Sequence, residues 1–231
     1  GVREAVRYAA DRVLDVFLTE AARDRHNGIW EEARAAGLYV HLASERVMAA
    51  MSTDSQGVLA VVAMDEAAGP GALAAALSGA MLVVVLTEAQ DPGNAGAIIR
   101  AADAAGADAV VLLRGSVDAT SPKVVRSSAG SLFHLPVVTG VTLDDAVAAL
   151  HEADLAVVAA DFRGALDLFD ADAVLEGPVA WLLGNEARGL PPEALSRADA
   201  VISIPVRGRA ESLNVAAAAA VCLYASARAQ R

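Results

Sequence analysis

Six short apolar runs follow one another between Met81 and Ile204, and stretches with helical periodicity separate them. Strands are expected at 81–87, 109–113, 135–138, 155–160, 179–183 and 201–204, and helices near 95–105, 122–129, 142–152, 191–198 and 212–227. Strands that are apolar on both faces and alternate with helices are typical of a mostly parallel sheet with helices on both faces. The sequence therefore predicts an α/β domain, in which a ligand site is expected at the carboxyl ends of the strands.

A smaller α/β pattern precedes this region. It predicts helices at 2–10 and 29–36 and buried strands at 40–42 and 58–62. Charged residues, Gly and Pro accumulate at 65–71, which indicates a linker near 65–78. The predicted organisation is a domain over 1–68, a linker over 69–78 and a second domain over 79–231.

The composition indicates a globular protein without membrane spans. Hydrophobic residues make up 55% of the 231 residues, which is sufficient for a core. The longest apolar runs, 80–86 and 215–225, are shorter than the roughly 20 residues that a membrane helix needs. No export signal opens the chain, so a cytoplasmic location is expected. Cys222 is expected to be a buried, inert thiol, and the His and Cys residues show no metal-ligand spacing.

The net charge of -11 argues against nucleic-acid binding, because affinity for phosphate comes mainly from clustered Lys and Arg. A group of cations nevertheless lies in or beside glycine-rich or capped segments, whereas most acidic residues fall in helical stretches. Its members are Arg100, Lys123, Arg126, Arg188, Arg207 and Arg209. A local basic patch on an acidic protein is therefore expected.

The first motif, Asp91-Pro92-Gly93-Asn94-Ala95-Gly96 with Arg100 after it, follows an apolar strand and opens a helix. Asn94 is expected to cap that helix, whose dipole favours an anion nearby. Gly106 is expected to end it. Taken alone, the segment also allows Asn94 to be only a cap and Arg100 to be an ordinary exposed residue.

Two further motifs lie near the end of the chain. In the segment from Leu183 to Leu190, Gly184 allows a ligand to approach the backbone closely, although a plain turn with Glu186 near a helix N-terminus fits equally. The other motif begins with Ile204-Pro205-Val206, which ends a strand. Proline at this position is expected to leave a backbone carbonyl without a partner in the sheet, so that it is available to a ligand. Ser212 is expected to cap the final helix.

The order and spacing of the three motifs resemble the SpoU/TrmH family of RNA ribose methyltransferases, in the SPOUT superfamily. Asn94-x-Gly96-x-x-x-Arg100 matches the first family motif in full, whereas Ala216 replaces a common serine in the third, a change expected to affect packing. The resemblance implies transfer of a methyl group from S-adenosylmethionine to a ribose 2′-hydroxyl of rRNA or tRNA. It also implies a homodimer and a C-terminal trefoil knot, a rare exception to unknotted topology.

The same resemblance implies roles for individual residues. The polar and catalytic residues would be Arg100, Asn94, Glu186, Ser212 and Asn214. The cofactor would be held by Ala160, Leu183, Gly184, Asn185, Gly189, Ile204, Pro205, Ser212 and Leu213. RNA would contact Arg100, Lys123, Arg126, Arg188, Arg207 and Arg209. The N-terminal domain resembles a ribosomal-protein-like RNA-binding module whose first strand would precede Gly1.

Arg100 is better described as an electrostatic group than as a general base, because a guanidinium is effectively never deprotonated in proteins. A sulfonium methyl is already a strong electrophile, so no metal is expected to be needed. Two alternatives stay open: a knotted methyltransferase acting on a base nitrogen, and a catalytically silent RNA-binding homologue. A dinucleotide-binding Rossmann protein is disfavoured, because no Gly-x-Gly-x-x-Gly follows the first strand of the alternating region.

Overall fold

The structure, a computed structural model, describes residues 1–63, 67–185 and 188–231. The chain divides into two compact units, Gly1–Asp65 and Glu66–Arg231. This division lies close to the predicted end of the first domain at residue 68. No helix of the described residues is both long enough and apolar enough to cross a membrane.

Within its described residues, 1–63, the first unit is a three-stranded sheet with four α-helices. In chain order its elements are α1 Val2–Tyr8, β1 Val13–Leu18, α2 Glu20–Arg25, α3 Asn27–Ala35, β2 Tyr39–Leu42, α4 Glu45–Met51 and β3 Val58–Val62. The sheet order is β2-β1-β3, with β1 parallel to β2 and antiparallel to β3. The two predicted helices and two predicted strands are present.

Two features of this unit differ from the prediction. The central strand β1 was missed because Asp15 interrupts its apolar run, although Val16 and Leu18 are fully buried. The strands at 40–42 and 58–62 were both predicted to be buried, but Leu42 is 46% and Val61 39% exposed, and the other residues of β3 are only half-buried. The physical reason is that β2 and β3 are the two edge strands of the sheet, each paired with a neighbour on one side only.

The second unit has the predicted α/β architecture. In chain order its elements are α5 Gly69–Ala76, β4 Leu82–Leu86, α6 Pro92–Ala105, β5 Ala109–Leu113, α7 Pro122–Ser127, β6 Val137–Val141, α8 Leu143–Glu152, β7 Ala156–Ala160, β8 Leu166–Asp167, α9 Asp172–Leu175, β9 Val179–Leu183, α10 Pro192–Arg197, β10 Ala200–Ser203 and α11 Val215–Ala229. The sheet order is β6-β5-β4-β9-β7-β10-β8, and each described ladder is parallel. All six predicted strands are present.

The side chains of the central strands point alternately to the two faces of this sheet, and both faces are buried. Val83 and Val85 of β4 belong to a core that also contains residues of α5, α8 and α10. On the opposite face Trp181 of β9 is fully buried and donates its indole N–H to Ser226 Oγ of α11 at 2.9 Å. Helices therefore cover both faces, as the doubly apolar strands predicted.

The predicted linker at 69–78 is wrong, because most of this segment is helix α5. Gly69-Pro70-Gly71 opens the helix, with proline in its first turn, where its missing N–H costs no intrahelical bond. Leu73 is fully buried and Leu77 almost so within the core of the second unit. Gly and Pro therefore mark a helix start here instead of a break between domains.

The strand order places a switch point beside β4. The chain runs from β4 outward through β5 and β6, and then returns to build β7, β9 and β10 on the other side. Ligands of open α/β sheets bind at the carboxyl ends of strands near such a point. Cys222 lies away from this edge within α11, where burial raises the pKa of its thiol to about 12, as expected for an inert core residue.

Candidate active site

A cavity of about 350 Å³ opens at the carboxyl ends of β7, β9 and β10. Eight of the nine predicted cofactor residues line it: Ala160, Leu183, Gly184, Asn185, Gly189, Ile204, Ser212 and Leu213. Pro205 is not among the lining residues. Strand ends that are distant in the sequence therefore meet at one concave surface.

Other residues, which were not predicted to contact the cofactor, also line this cavity. They are Asp161, Phe162, Arg163, Arg188, Leu190, Val206, Glu211, Val215 and Ala218. The loop 161–163 could have been found, because it directly follows the predicted strand at 155–160 and such loops build ligand sites. Ala218 could not have been predicted, because nothing in the sequence distinguishes it from the other alanines of its helix.

Gly184 is required by the packing of its own loop. A Cβ atom at this position would lie 2.3 Å from Gly189 C and 2.5 Å from Leu190 N. The same loop is closed by hydrogen bonds in which Asn185 N donates to Gly189 O at 3.1 Å and Gly189 N donates to Asn185 O at 2.8 Å. A side chain at Gly184 would therefore disturb the cavity wall itself.

The first motif is capped differently from the prediction. Asp91 is the N-cap of α6, and its Oδ1 accepts the N–H of Asn94 at 2.8 Å. Asn94 is not the cap, because Pro92 already occupies the first turn and moves the cap to the residue before it. The Asn94 side chain is consequently available for another contact.

That contact joins the first motif to the third. Asn214 Nδ2 donates to Asn94 Oδ1 at 3.1 Å, across 120 residues of sequence. Asn214 is also the N-cap of α11, since its Oδ1 accepts the N–H of Ala216 at 2.9 Å. The prediction that Ser212 caps this helix is therefore wrong, because the helix begins three residues later, at Val215.

Arg100 is exposed on α6, and no hydrogen bond or ion pair within the described part of the chain holds its guanidinium. The exposed Arg207 and Arg209 likewise have no ion pair among the described residues. Glu186, predicted for the polar shell, lies outside the described residues. Within those same ranges no group of three or more His, Cys, Asp or Glu is arranged to hold a metal ion.

Arg188 and Lys123, which are predicted RNA-binding cations, each lie beside an acidic side chain among the described residues. Arg188 Nη2 lies 2.7 Å from Glu88 Oε2, and Lys123 Nζ lies 3.7 Å from Asp91 Oδ2. Glu88 has a left-handed φ of 51°, and its carbonyl accepts Asn185 Nδ2 at 2.9 Å, so it links the loop after β4 to the loop after β9. Both ion pairs are largely exposed, where such pairs contribute little to stability.

Gly96 allows α6 to approach α7 closely. A Cβ atom at Gly96 would lie 1.9 Å from Ser127 Oγ and 2.7 Å from Val124 O. We expect Gly96→Ala to lower the free energy of unfolding by about 1–3 kcal/mol, because the helices must separate to admit the methyl group. Urea denaturation of both proteins measures the difference. Equal midpoints would show that the helix pair adjusts without cost.

The Asp91 cap should make helix α6 sensitive to acid. The backbone N–H of Asn94, with Lys123 nearby, holds the pKa of Asp91 below its ordinary value of 3.8. A depressed carboxyl pKa stabilises the fold above the unfolded-state value, and this stabilisation is lost as the pH falls through the folded-state value. We expect Asp91→Ala to cost about 1 kcal/mol at pH 7. The difference should shrink below about pH 4 in denaturation curves, whereas a pH-independent difference would contradict the assignment.

Known proteins resemble this chain in both sequence and fold. The model of the SpoU rRNA Methylase family matches residues 81–224. The 23S rRNA (guanosine-2′-O-)-methyltransferase RlmB of Bordetella pertussis is 33% identical over 227 residues, which cover 96% of this chain and 92% of that protein. These matches include the strands and loops that build the cavity.

Solved structures agree with this match. The crystal structure of the SpoU methyltransferase AviRb from Streptomyces viridochromogenes superimposes with a TM-score of 0.84 at 29% identity, covering 100% of this chain and 88% of that one. Its complex with the cofactor AdoMet gives a TM-score of 0.80 at 30% identity, covering 99% and 88%. The chain belongs to the SpoU rRNA methylase family.

Proposed function

We propose that this protein transfers the methyl group of S-adenosylmethionine to a ribose 2′-hydroxyl of rRNA or tRNA. The observation that carries the proposal is the meeting of the three sequence motifs at one edge of the sheet. Described residues of the second and third motifs line the cavity, and the Asn94–Asn214 hydrogen bond connects the first motif to the third. Membership of the SpoU family supports the same activity.

The residues that line the cavity suit S-adenosylmethionine. Ala160, Leu183 and Ile204 supply apolar surface, and Gly184 and Gly189, which have no side chain, present backbone groups to the cavity. Glu211 adds a carboxylate, which favours the positive charge of a sulfonium or an amino group. When bound, the cofactor supplies a methyl group on a positively charged sulfur, which makes that carbon electrophilic without a metal.

The chain itself then has to orient the ribose and stabilise the charge that develops on its 2′-oxygen. Arg100 supplies a guanidinium that no described residue neutralises, so its charge is available for a phosphate and for the developing alkoxide. The hydrogen bond between Asn94 and Asn214 holds two amide side chains in a defined orientation at the start of the helix that carries Arg100. Arg100 keeps its own proton, because a guanidinium is effectively never deprotonated in proteins, so the hydroxyl proton has to leave to solvent.

Features implied only by the family resemblance belong to the same proposal. They are a homodimer, a C-terminal trefoil knot, an RNA-binding role for the first unit and a cytoplasmic location, where the RNA substrates are found. Size-exclusion chromatography with light scattering tests the dimer.

RNA binding should depend on Arg207 and Arg209, which are exposed in the loop between β10 and α11 without ion pairs among the described residues. We expect each change to Gln to weaken RNA binding and to reduce the slope of log affinity against log salt by roughly 0.7–0.9 for each lost phosphate contact. A salt titration of RNA binding measures the slope. Arg197→Gln, at a residue paired with Asp144, is the control and should leave the slope unchanged.

The cellular test of the proposal is a map of 2′-O-methyl positions in total RNA from cells with and without the gene. We expect at least one ribose methylation to disappear when the gene is deleted and to return with the wild-type gene. A lost base methylation would favour a base-nitrogen methyltransferase. No change in any modification, together with retained RNA binding, would favour a catalytically silent homologue.

A further inference from the structure

Phe162 lines the cavity and is 83% exposed. It is the one aromatic side chain among the described residues that line this cavity. An exposed aromatic ring leaves a large apolar surface in water, and Phe rings commonly gain stability by stacking on flat groups. The ring is therefore a candidate for covering a planar part of a ligand.

The turn that carries Phe162 is tightly hydrogen-bonded. Asp161 N donates to Ile202 O, and Gly164 N donates to Asp161 O, both at 3.0 Å. Asp161 Oδ1 accepts Arg163 N at 2.9 Å and Arg163 Nε at 2.7 Å. The Asp161 carboxylate is 4% exposed, and its bond to the Arg163 guanidinium holds its pKa below the ordinary value. This ion pair therefore persists at neutral pH and fixes the turn.

Two further observations describe the backbone next to Phe162 and the surroundings of its ring. A Cβ atom at Gly164 would lie 2.6 Å from both Ile202 C and Ser203 N, so the turn packs directly on the backbone of β10. Arg163 Cζ lies 5.3 Å from the centroid of the Phe162 ring, within cation–π distance. The turn is thus held against β10, and the exposed Phe162 ring lies beside the Arg163 guanidinium at the edge of the cavity.

The position of the ring within the sheet indicates which ligand group it meets. Phe162 follows β7, which lies two strands from β4 in the order β4-β9-β7, a separation of roughly 10 Å. Arg100 and Asn94 follow β4, so the target ribose is expected on that side. A planar group at Phe162 is consequently on the side of the cavity away from the target ribose.

We propose that Phe162 stacks on the adenine of S-adenosylmethionine and so determines cofactor affinity through its side chain. This inference rests on the proposed function, because it takes the cavity as the cofactor site. Arg163 and Asp161 act as positioning residues for the ring. The proposal adds a side-chain contact to a site whose other described walls are aliphatic side chains, backbone and polar loops.

Calorimetry with purified protein tests the proposal, using S-adenosylmethionine and 5′-methylthioadenosine as separate probes. We expect Phe162→Leu to weaken both by a similar factor, about 5- to 150-fold, because stacking on a base is lost while an apolar side chain is retained. Phe162→Tyr and Phe162→Trp should bind close to wild type. Phe169→Leu is the matched control, since Phe169 is 60% exposed but does not line the cavity.

The outcomes separate this inference from the proposed function. If wild type binds neither probe, the proposed function fails at its cofactor. If wild type binds both and folded Phe162→Leu binds them equally well, the stacking assignment is overturned. Unchanged probe affinity together with weaker RNA binding would assign the ring to a base of the RNA instead, which also overturns the proposal.

Discussion

Replacing Arg100 with alanine is expected to reduce methyl transfer by roughly 10²- to 10³-fold, the loss typical of removing one donor that stabilises a developing oxyanion. The affinity for S-adenosylmethionine should stay within about twofold, because Arg100 does not line the cavity. The fold should also be retained, since the side chain is exposed on helix α6 and alanine is a good helix former. Single-turnover methylation and calorimetry measure the two effects separately.

Arg100→Lys separates the shape of the side chain from its charge. An ammonium keeps the positive charge but lacks the planar fork of a guanidinium, so we expect a large loss in this variant as well. Arg197→Ala, at an ion-paired residue on α10, is the control for loss of an arginine elsewhere. Near-normal turnover of either Arg100 variant would exclude the assigned role.

Enlarging Ala218 to leucine is expected to weaken S-adenosylmethionine binding at least tenfold. Ala218 lines the cavity from helix α11, so the three added carbons project into the space that the cofactor needs. This variant is a cleaner test than Gly184→Val, because a side chain at Gly184 would also collide with the backbone of Gly189 and Leu190. Both alanine and leucine favour the helical conformation.

Ala217→Leu is the matched control for this change. Ala217 precedes Ala218 on the same helix, is exposed and does not line the cavity. We expect this variant to bind S-adenosylmethionine like wild type and to melt at the same temperature. Equal cofactor affinity in folded Ala218→Leu would place the cofactor outside the cavity.

The fold of the second unit was largely predictable because its strands are apolar on both faces. Val83 to Leu86 and Val110 to Leu113 alternate with helical stretches, and only a covered parallel sheet buries such runs. The two-residue strand β8 was too short to give a pattern of its own. Helix α5 was missed because Gly and Pro, which usually interrupt structure, stand in its first turn.

The individual segments of the candidate site could be predicted from the sequence, but the contacts between these segments could not. Glycine at 184 and 189 marked a tight loop, and six other predicted cofactor residues line the same cavity as these two glycines. The Asn94–Asn214 contact could not be read from the sequence, because it spans 120 residues and depends on the return of α11 to the end of β4. The pairing of Arg188 with Glu88 was hidden for the same reason, since 100 residues separate them.

The most direct test of the central claim is an analysis of the reaction product. Purified protein is incubated with RNA from cells that lack the gene and with S-adenosylmethionine carrying a labelled methyl group, and the RNA is then digested to nucleosides for mass spectrometry. We predict label in a 2′-O-methylnucleoside, with the methyl group on the ribose fragment, and a loss of about 10²-fold or more with Arg100→Ala. Label on a base fragment, or no label above the Arg100→Ala background, would contradict the assignment.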